Sequence, residues 1–163
     1  TDYTGTPIQA QLDGIVSGSQ VTYVQAGGLL KTRYTFPYLD SLITQDVQGL
    51  NKAELVLPID VTGADKLKPS AKLALFIVTE SGAREVLIDQ LEGETHFGGL
   101  YNSDQTRVVL NITRAVQQHL RGVKRFKSIE VIASSTSVTA NRTVINGDQN
   151  ARKPKLILTY TKF

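Results

Sequence analysis

The stretch ANRTVINGDQNARKPKLILTY, residues 140–160, decides how this chain folds. It holds one strand-like run, RTVI (142–145), then the polar loop NGDQNARK (146–153), then a second run, PKLILTYT (154–161). Side chains alternate across a strand, so Leu156, Leu158 and Tyr160 are expected to face inward and Lys155, Thr159 and Thr161 outward. Asn146-Gly147 is a strong turn dipeptide, because both residue types tolerate left-handed backbone. A segment so poor in reactive groups and so rich in sheet signals reads as the closing strand of a β-sandwich.

The same period of two recurs upstream. In LLKTRYTF (29–36), Leu30, Thr32, Tyr34 and Phe36 share one face, and Lys31, Arg33 and Thr35 the other. SQVTYVQAGG (19–28) reads as a preceding strand, and Gly27-Gly28 predicts a tight hairpin between the two. Pro37 ends the second strand, since it lacks the N–H of a ladder. Tyr38, Leu39 and Leu42 are spaced for a short helical turn. In LNKAELVLPIDV (50–61), Ala53, Leu55, Leu57 and Ile59 oppose Lys52, Glu54 and Val56, and Pro58 marks an edge, a bulge or an end. GADKLKPS (63–70) is a loop. AKLALFIVT (71–79) is apolar on both faces, as a strand in mid-sheet is. EVLID (85–89), HFGGLYN (96–102), QTRVVLNI (105–112) and SIEVIAS (128–134) supply further strands, with Val108, Leu110 and Ile112 on one face.

One segment departs from this period. In NITRAVQQHLRG (111–122), Ile112, Ala115, Val116, His119 and Leu120 recur every three or four positions. That predicts an amphipathic helix near 112–121, about two turns long, with Thr113 capping its start and Gly122 its left-handed stop. It is expected to plug one end of the sandwich. Eight to ten strands of ordinary length, read about this helix, predict an all-β fold: two packed antiparallel sheets in a jelly-roll-like arrangement.

The chain has 163 residues, 40% of them hydrophobic, and no cysteine, methionine or tryptophan. That length reads as a single domain, 1–163, large enough to bury about 70% of its unfolded surface without staples. Lack of cysteine excludes disulfides, thiol nucleophiles and cysteine metal sites. The missing initiator methionine points to a processed chain or a fragment, with any signal or anchor upstream of Thr1. No apolar run approaches the roughly 18 residues of a membrane span. Net charge is +3. Arg121, Lys124, Arg125 and Lys127, with Arg152, Lys153 and Lys155 further on, read as a solvated turn and strand entry. Only Phe126 interleaves them, so they make no stacking platform for single-stranded nucleic acid, and nucleic acid is not an expected partner.

Four stretches together carry a resemblance: TYVQAGGLLKTRYTFPYLDSL (22–42), LNKAELVLPID (50–60), RVVLNITRAVQQHLRG (107–122) and the closing ANRTVINGD…KPKLILTY. From about Tyr23 to its end the chain resembles secreted lipoproteins of the Bacteroides group, catalogued as domain of unknown function 4270. The resemblance implies an extracytoplasmic, lipid-anchored β-sandwich of the outer membrane, periplasmic or surface-facing, forming the C-terminal or main part of a longer precursor. It implies no reaction. The order of strand, helix, strand, polar loop and PKLxxxY strand is also similar to jelly-roll domains appended to bacterial surface proteins and polysaccharide-degrading enzymes, some of which bind carbohydrate. The chain departs from those in lacking tryptophan, the usual sugar-stacking residue.

Chemistry has few residues to use. His119 belongs to the helix and reads as structural, at the border of the core; His96, among glycines, is the better site candidate. Neither HxH nor HExxH occurs, so no metal centre is expected. Asp89, Glu92 and Glu94 are close in sequence but read as solvated loop acids rather than a glycosidase pair. GxSxG, GxxxxGK[ST] and GxGxxG are absent. NGDQN offers calcium-type oxygens near Asp148 without EF-hand spacing. Asn111 and Asn141 begin eukaryotic N-glycosylation sequons, which read as accidental given the resemblance. Asp40-Ser41-Leu42 fits the Asp-Ser/Thr-apolar pattern of O-glycosylation in Bacteroides-type bacteria, which makes Ser41 a modification candidate.

These readings predict a non-enzymatic domain without cofactors, working by its surface on an envelope protein or glycan. A carbohydrate-binding module is the first alternative, with Tyr101, Asn102 and His96 as its surface and Tyr38 as another stacking face. A structural subunit or adhesin pairing through edge strands is the second.

Overall fold

A computed structural model describes residues 3–14, 20–28, 30–43, 49–62, 67–134 and 140–161. Two four-stranded antiparallel sheets face each other. The first has the order β2 (Thr32–Tyr34), β8 (Phe126–Ala133), β4 (Leu73–Thr79), β5 (Arg84–Val86). The second has the order β10 (Lys155–Thr161), β3 (Gly49–Pro58), β7 (Arg107–Asn111), β6 (Gly98–Asn102). A third pair, β1 (Val21–Gln25) with β9 (Arg142–Asn146), is tied to the end of β3 by an Ile59–Ile145 bridge. This is the all-β sandwich that the alternation predicts.

Its core is the meeting of two period-two faces. Ala53, Leu55, Leu57, Val108 and Leu110 come from the second sheet, and Leu73, Leu75, Ile77, Ile129 and Val131 from the first. All are buried, at a value of roughly 1.5–3 kcal/mol for each large aliphatic side chain removed from water. The alternation of Leu30, Thr32, Tyr34 and Phe36 against Lys31, Arg33 and Thr35 holds. β4 sits between β8 and β5 with both faces largely covered, as its apolar sequence requires.

Among the described residues four short α-helices accompany these strands: α1 (Pro7–Leu12), ahead of β1, and α2 (Ile88–Leu91), α3 (Glu94–Phe97) and α4 (Thr113–Leu120) between later strands. α4 carries the chain from the second sheet to the first, and Ala115 and Val116 add to the core. Gly122 stops it at φ +70°. Thr113 does not cap it. Thr113 is the first helical residue, and its hydroxyl accepts the Ala53 N–H (2.9 Å) and donates to Asn111 Oδ1 (2.5 Å). The cap comes from another element. Buried Asp89, in α2, accepts the N–H groups of Arg114 (2.8 Å) and Ala115 (2.9 Å). The segment with Asp89, Glu92 and Glu94 is therefore two single helical turns rather than a solvated loop.

Other expectations fail for equally local reasons. Gly27 adopts φ +84° and the chain reverses there, but β1 and β2 form no ladder beyond a single Gln25–Leu30 bridge. β1 pairs with β9, and β2 with β8. Asn146-Gly147 likewise makes no hairpin: β9 and β10 belong to different sheets, and Asn146 Nδ2 holds the loop by donating to the Arg152 carbonyl (2.8 Å). In β10, Leu156 and Leu158 pack on the core. Tyr160 stays 45% exposed, because Asn51 has no partner opposite it and the register shifts between Thr159 and Tyr160. α1 has no counterpart in the sequence reading. Thr6 caps it, and Gln11 clamps β1 by accepting the Tyr23 N–H and donating to the Tyr23 carbonyl (both 2.7 Å). The loop read over 63–70 lies partly outside the described residues.

Candidate functional site

The chain leaves β2 through Thr35, Phe36 and Pro37. It turns at Tyr38, where Leu39 N–H donates to the Phe36 carbonyl (3.0 Å), and enters a 3₁₀ turn, Asp40–Ile43. The apolar period of α4 sends His119 toward this turn from the opposite side. Its Nε2 lies 3.0 Å from Asp40 Oδ1, and its Nδ1 accepts the Phe126 N–H (3.2 Å). A donor facing Nδ1 places the ring proton on Nε2. The Phe126 ring packs on the imidazole at a centroid distance of 4.5 Å. His119 is buried, as its helical period predicts.

These elements enclose a cleft of about 340 Å³, within the size range of small-ligand sites. Leu39, His119 and Phe126 contribute buried apolar and aromatic surface to it, and Thr35, Asp40, Glu80 and Lys127 contribute polar groups. Tyr38 stands between two lining residues with 83% of its surface exposed. Chemically the cleft offers an aromatic wall, two carboxylates, a hydroxyl and an ammonium. Both nitrogens of His119 are engaged, so the ring as it stands holds no lone pair for a substrate proton.

The other predicted residues do not assemble. Tyr101 and Asn102 are neighbours on β6 and point to opposite faces. Tyr101 packs on the core, and Asn102 accepts the Gln105 N–H (2.9 Å) to close the next turn. His96, on α3, places Nε2 3.3 Å from Asp89 Oδ1 and 3.5 Å from Asn111 Nδ2. That makes it a neighbour of the α4 cap rather than part of a surface with Tyr101 and Asn102. Asp89, Glu92 and Glu94 take different partners: the α4 backbone, Arg114 (2.6 Å) and Lys72 (2.6 Å). Ser41 is exposed, and its hydroxyl donates to the Tyr38 carbonyl (2.6 Å). Among the described residues no group of three or more His, Asp or Glu is placed to hold a metal ion. No helix there is long and apolar enough to cross a membrane.

Known families and curated proteins offer no match to this chain. The cleft must be read from its own residues. Of these, the sequence singled out His119 as a core-border residue; Tyr38, singled out as a stacking face, is the chain neighbour of the lining residues Pro37 and Leu39. Asp40 and Lys127 stood out only in the Asp-Ser-Leu pattern and the basic cluster, and Glu80 not at all; nothing local tied them to a cleft, and the His119–Asp40 contact spans 79 positions.

Proposed function

We propose that the chain is a non-enzymatic binding module of the bacterial cell envelope and that the cleft beside His119 receives its ligand. The observation that carries this reading is the preformed cleft itself, with carboxylate, hydroxyl and ammonium groups beside the Phe126 and His119 rings; the exposed Tyr38 lies in the chain between its lining residues Pro37 and Leu39. A sugar presents an apolar C–H face to a ring and hydroxyls to acceptors, so a glycan fits this chemistry. The family resemblance supports the envelope setting and the lipid anchor upstream.

A glycan array followed by NMR titration tests the reading. Hits that shift the amides of Thr35–Asp40 and weaken in Tyr38→Ala support it. An array without hits, together with a domain that stays alone when isolated gently from envelope extract, overturns it. A lipid-modified cysteine upstream in the mature precursor is the expected finding for localisation, and a precursor without an export signal would refute it. O-glycosylation of Ser41 predicts a native peptide heavier than its sequence; an unmodified peptide removes that site.

A further inference from the structure

The face of the first sheet that points away from the core carries one fully buried acid. Glu130 alternates with the core residues Ile129 and Val131, yet its side chain has no exposed surface. Its cover is made of cations. Arg33 Nη2 (2.6 Å) and Lys31 Nζ (2.9 Å) reach Oε1, and Arg84 Nε (2.6 Å) reaches Oε2. Register places Arg33, Glu130, Phe76 and Val86 in one row across all four strands. Arg84, from the edge strand, crosses Phe76 with its guanidinium carbon 4.7 Å from the ring centre. That is within the distance at which a cation is held by a ring face.

One carboxylate beneath three cations leaves two positive charges in excess. The cations are 44%, 55% and 46% exposed. The bonds to Glu130 use one nitrogen of each guanidinium, so Glu130 leaves the other nitrogens of these half-exposed side chains unused. Fixing the heads in place lowers the ordering cost that flexible basic side chains normally carry into binding. Guanidinium forks match the oxygens of a tetrahedral oxyanion, and an ammonium adds a point charge.

We propose that Lys31, Arg33 and Arg84, pinned by Glu130, form a binding site for a phosphate monoester group. Charge selects this ligand: the monoester approaches two negative charges above its second pKa of about 6 and balances the excess. The phosphodiesters of nucleic acid carry one charge each and match it less well. The site lies on the outer face of the first sheet and involves none of the residues lining the cleft.

The test is an NMR titration of the whole domain above that pKa, at fixed ionic strength in chloride. The probes are inorganic phosphate, glucose 6-phosphate and glucose. Saturable shifts are expected for Lys31–Tyr34, Arg84–Val86 and Glu130 with both phosphate probes, and none there with glucose. Arg33→Gln and Arg84→Gln should each weaken binding about tenfold, the loss of one charge-assisted hydrogen bond. If either variant loses its dispersed spectrum, Lys31→Gln replaces it. Tighter binding of glucose 6-phosphate than of free phosphate identifies an ester site, and equal binding a site for the oxyanion alone; both support the proposal. Shifts that do not saturate, variants that bind as the parent does, or a single-stranded oligonucleotide that binds more tightly than the monoester would overturn it. Glucose shifts confined to Thr35–Asp40 would bear on the cleft and leave this site to be judged on its own probes.

Discussion

Replacing Glu130 by glutamine isolates the electrostatics of the outer face. Burial pushes the Glu130 carboxyl up, and the bonds from Arg33, Lys31 and Arg84 more than reverse this, bringing it from its ordinary 4.5 to about 2. A carboxyl more acidic in the folded state than in the unfolded state stabilises the fold above the unfolded pKa. That contribution is lost as pH falls through the folded one. Each pH unit of displacement is worth about 1.4 kcal/mol, giving about 3 kcal/mol. The cations stand half in water, and screening brings the expectation to about 2 kcal/mol. Glu130→Gln keeps the volume and removes the charge. Urea unfolding should therefore show the variant about 2 kcal/mol less stable near neutral pH. The gap between parent and variant should close as pH is lowered from about 5 towards 2. A gap that stays constant across that window, or one under about 0.5 kcal/mol at neutral pH, would refute the reasoning; the latter would place these pairs with ordinary surface salt bridges.

Four further predictions concern the frame around the two surfaces. Asp89→Ala strips the acceptors from the first turn of α4; a loss of about 2 kcal/mol is expected, with faster hydrogen exchange at Arg114 and Ala115. Gly99→Ala would set a methyl 2.6 Å from the Leu73 carbonyl at a φ of +84°, so the soluble yield should collapse. Gly82→Ala, at φ +86° with nothing within 4 Å, should cost only about 1 kcal/mol in thermal unfolding. Leu55→Ala, at the centre of the core, should lose about 2–5 kcal/mol by denaturant titration.

Much of this architecture is written in neighbouring residues. Ala53, Leu55, Leu57 and Ile59 are all buried because adjacent side chains on a strand leave on opposite faces, whatever lies across the ladder. The same holds for the buried side of α4, where spacing of three and four gathers Ala115, Val116 and His119. Glycine at a reversal was legible too, at Gly27 and Gly122. The candidate sites were far less so. Of the residues proposed for a sugar surface, Tyr38 is exposed between the cleft-lining Pro37 and Leu39, while Tyr101, Asn102 and His96 serve the core, a turn and the margin of a helix cap. Asp89 looked like a solvated acid because the helix it caps begins 24 residues later in the chain.

The sequence by itself determined the all-β class, the inward and outward faces of most strands, and the one amphipathic helix. Those depend on interactions within a few residues. Tertiary structure alone decided which strands became partners, why two turn-forming dipeptides made no hairpin, and how Asp40 met His119. It also decided how Lys31, Arg33 and Arg84 converged on Glu130, two of them across 97 and 46 positions. Contacts of that span form only when loops close and sheets pack, so their partners are set by the competition among all strand edges rather than by any local pattern.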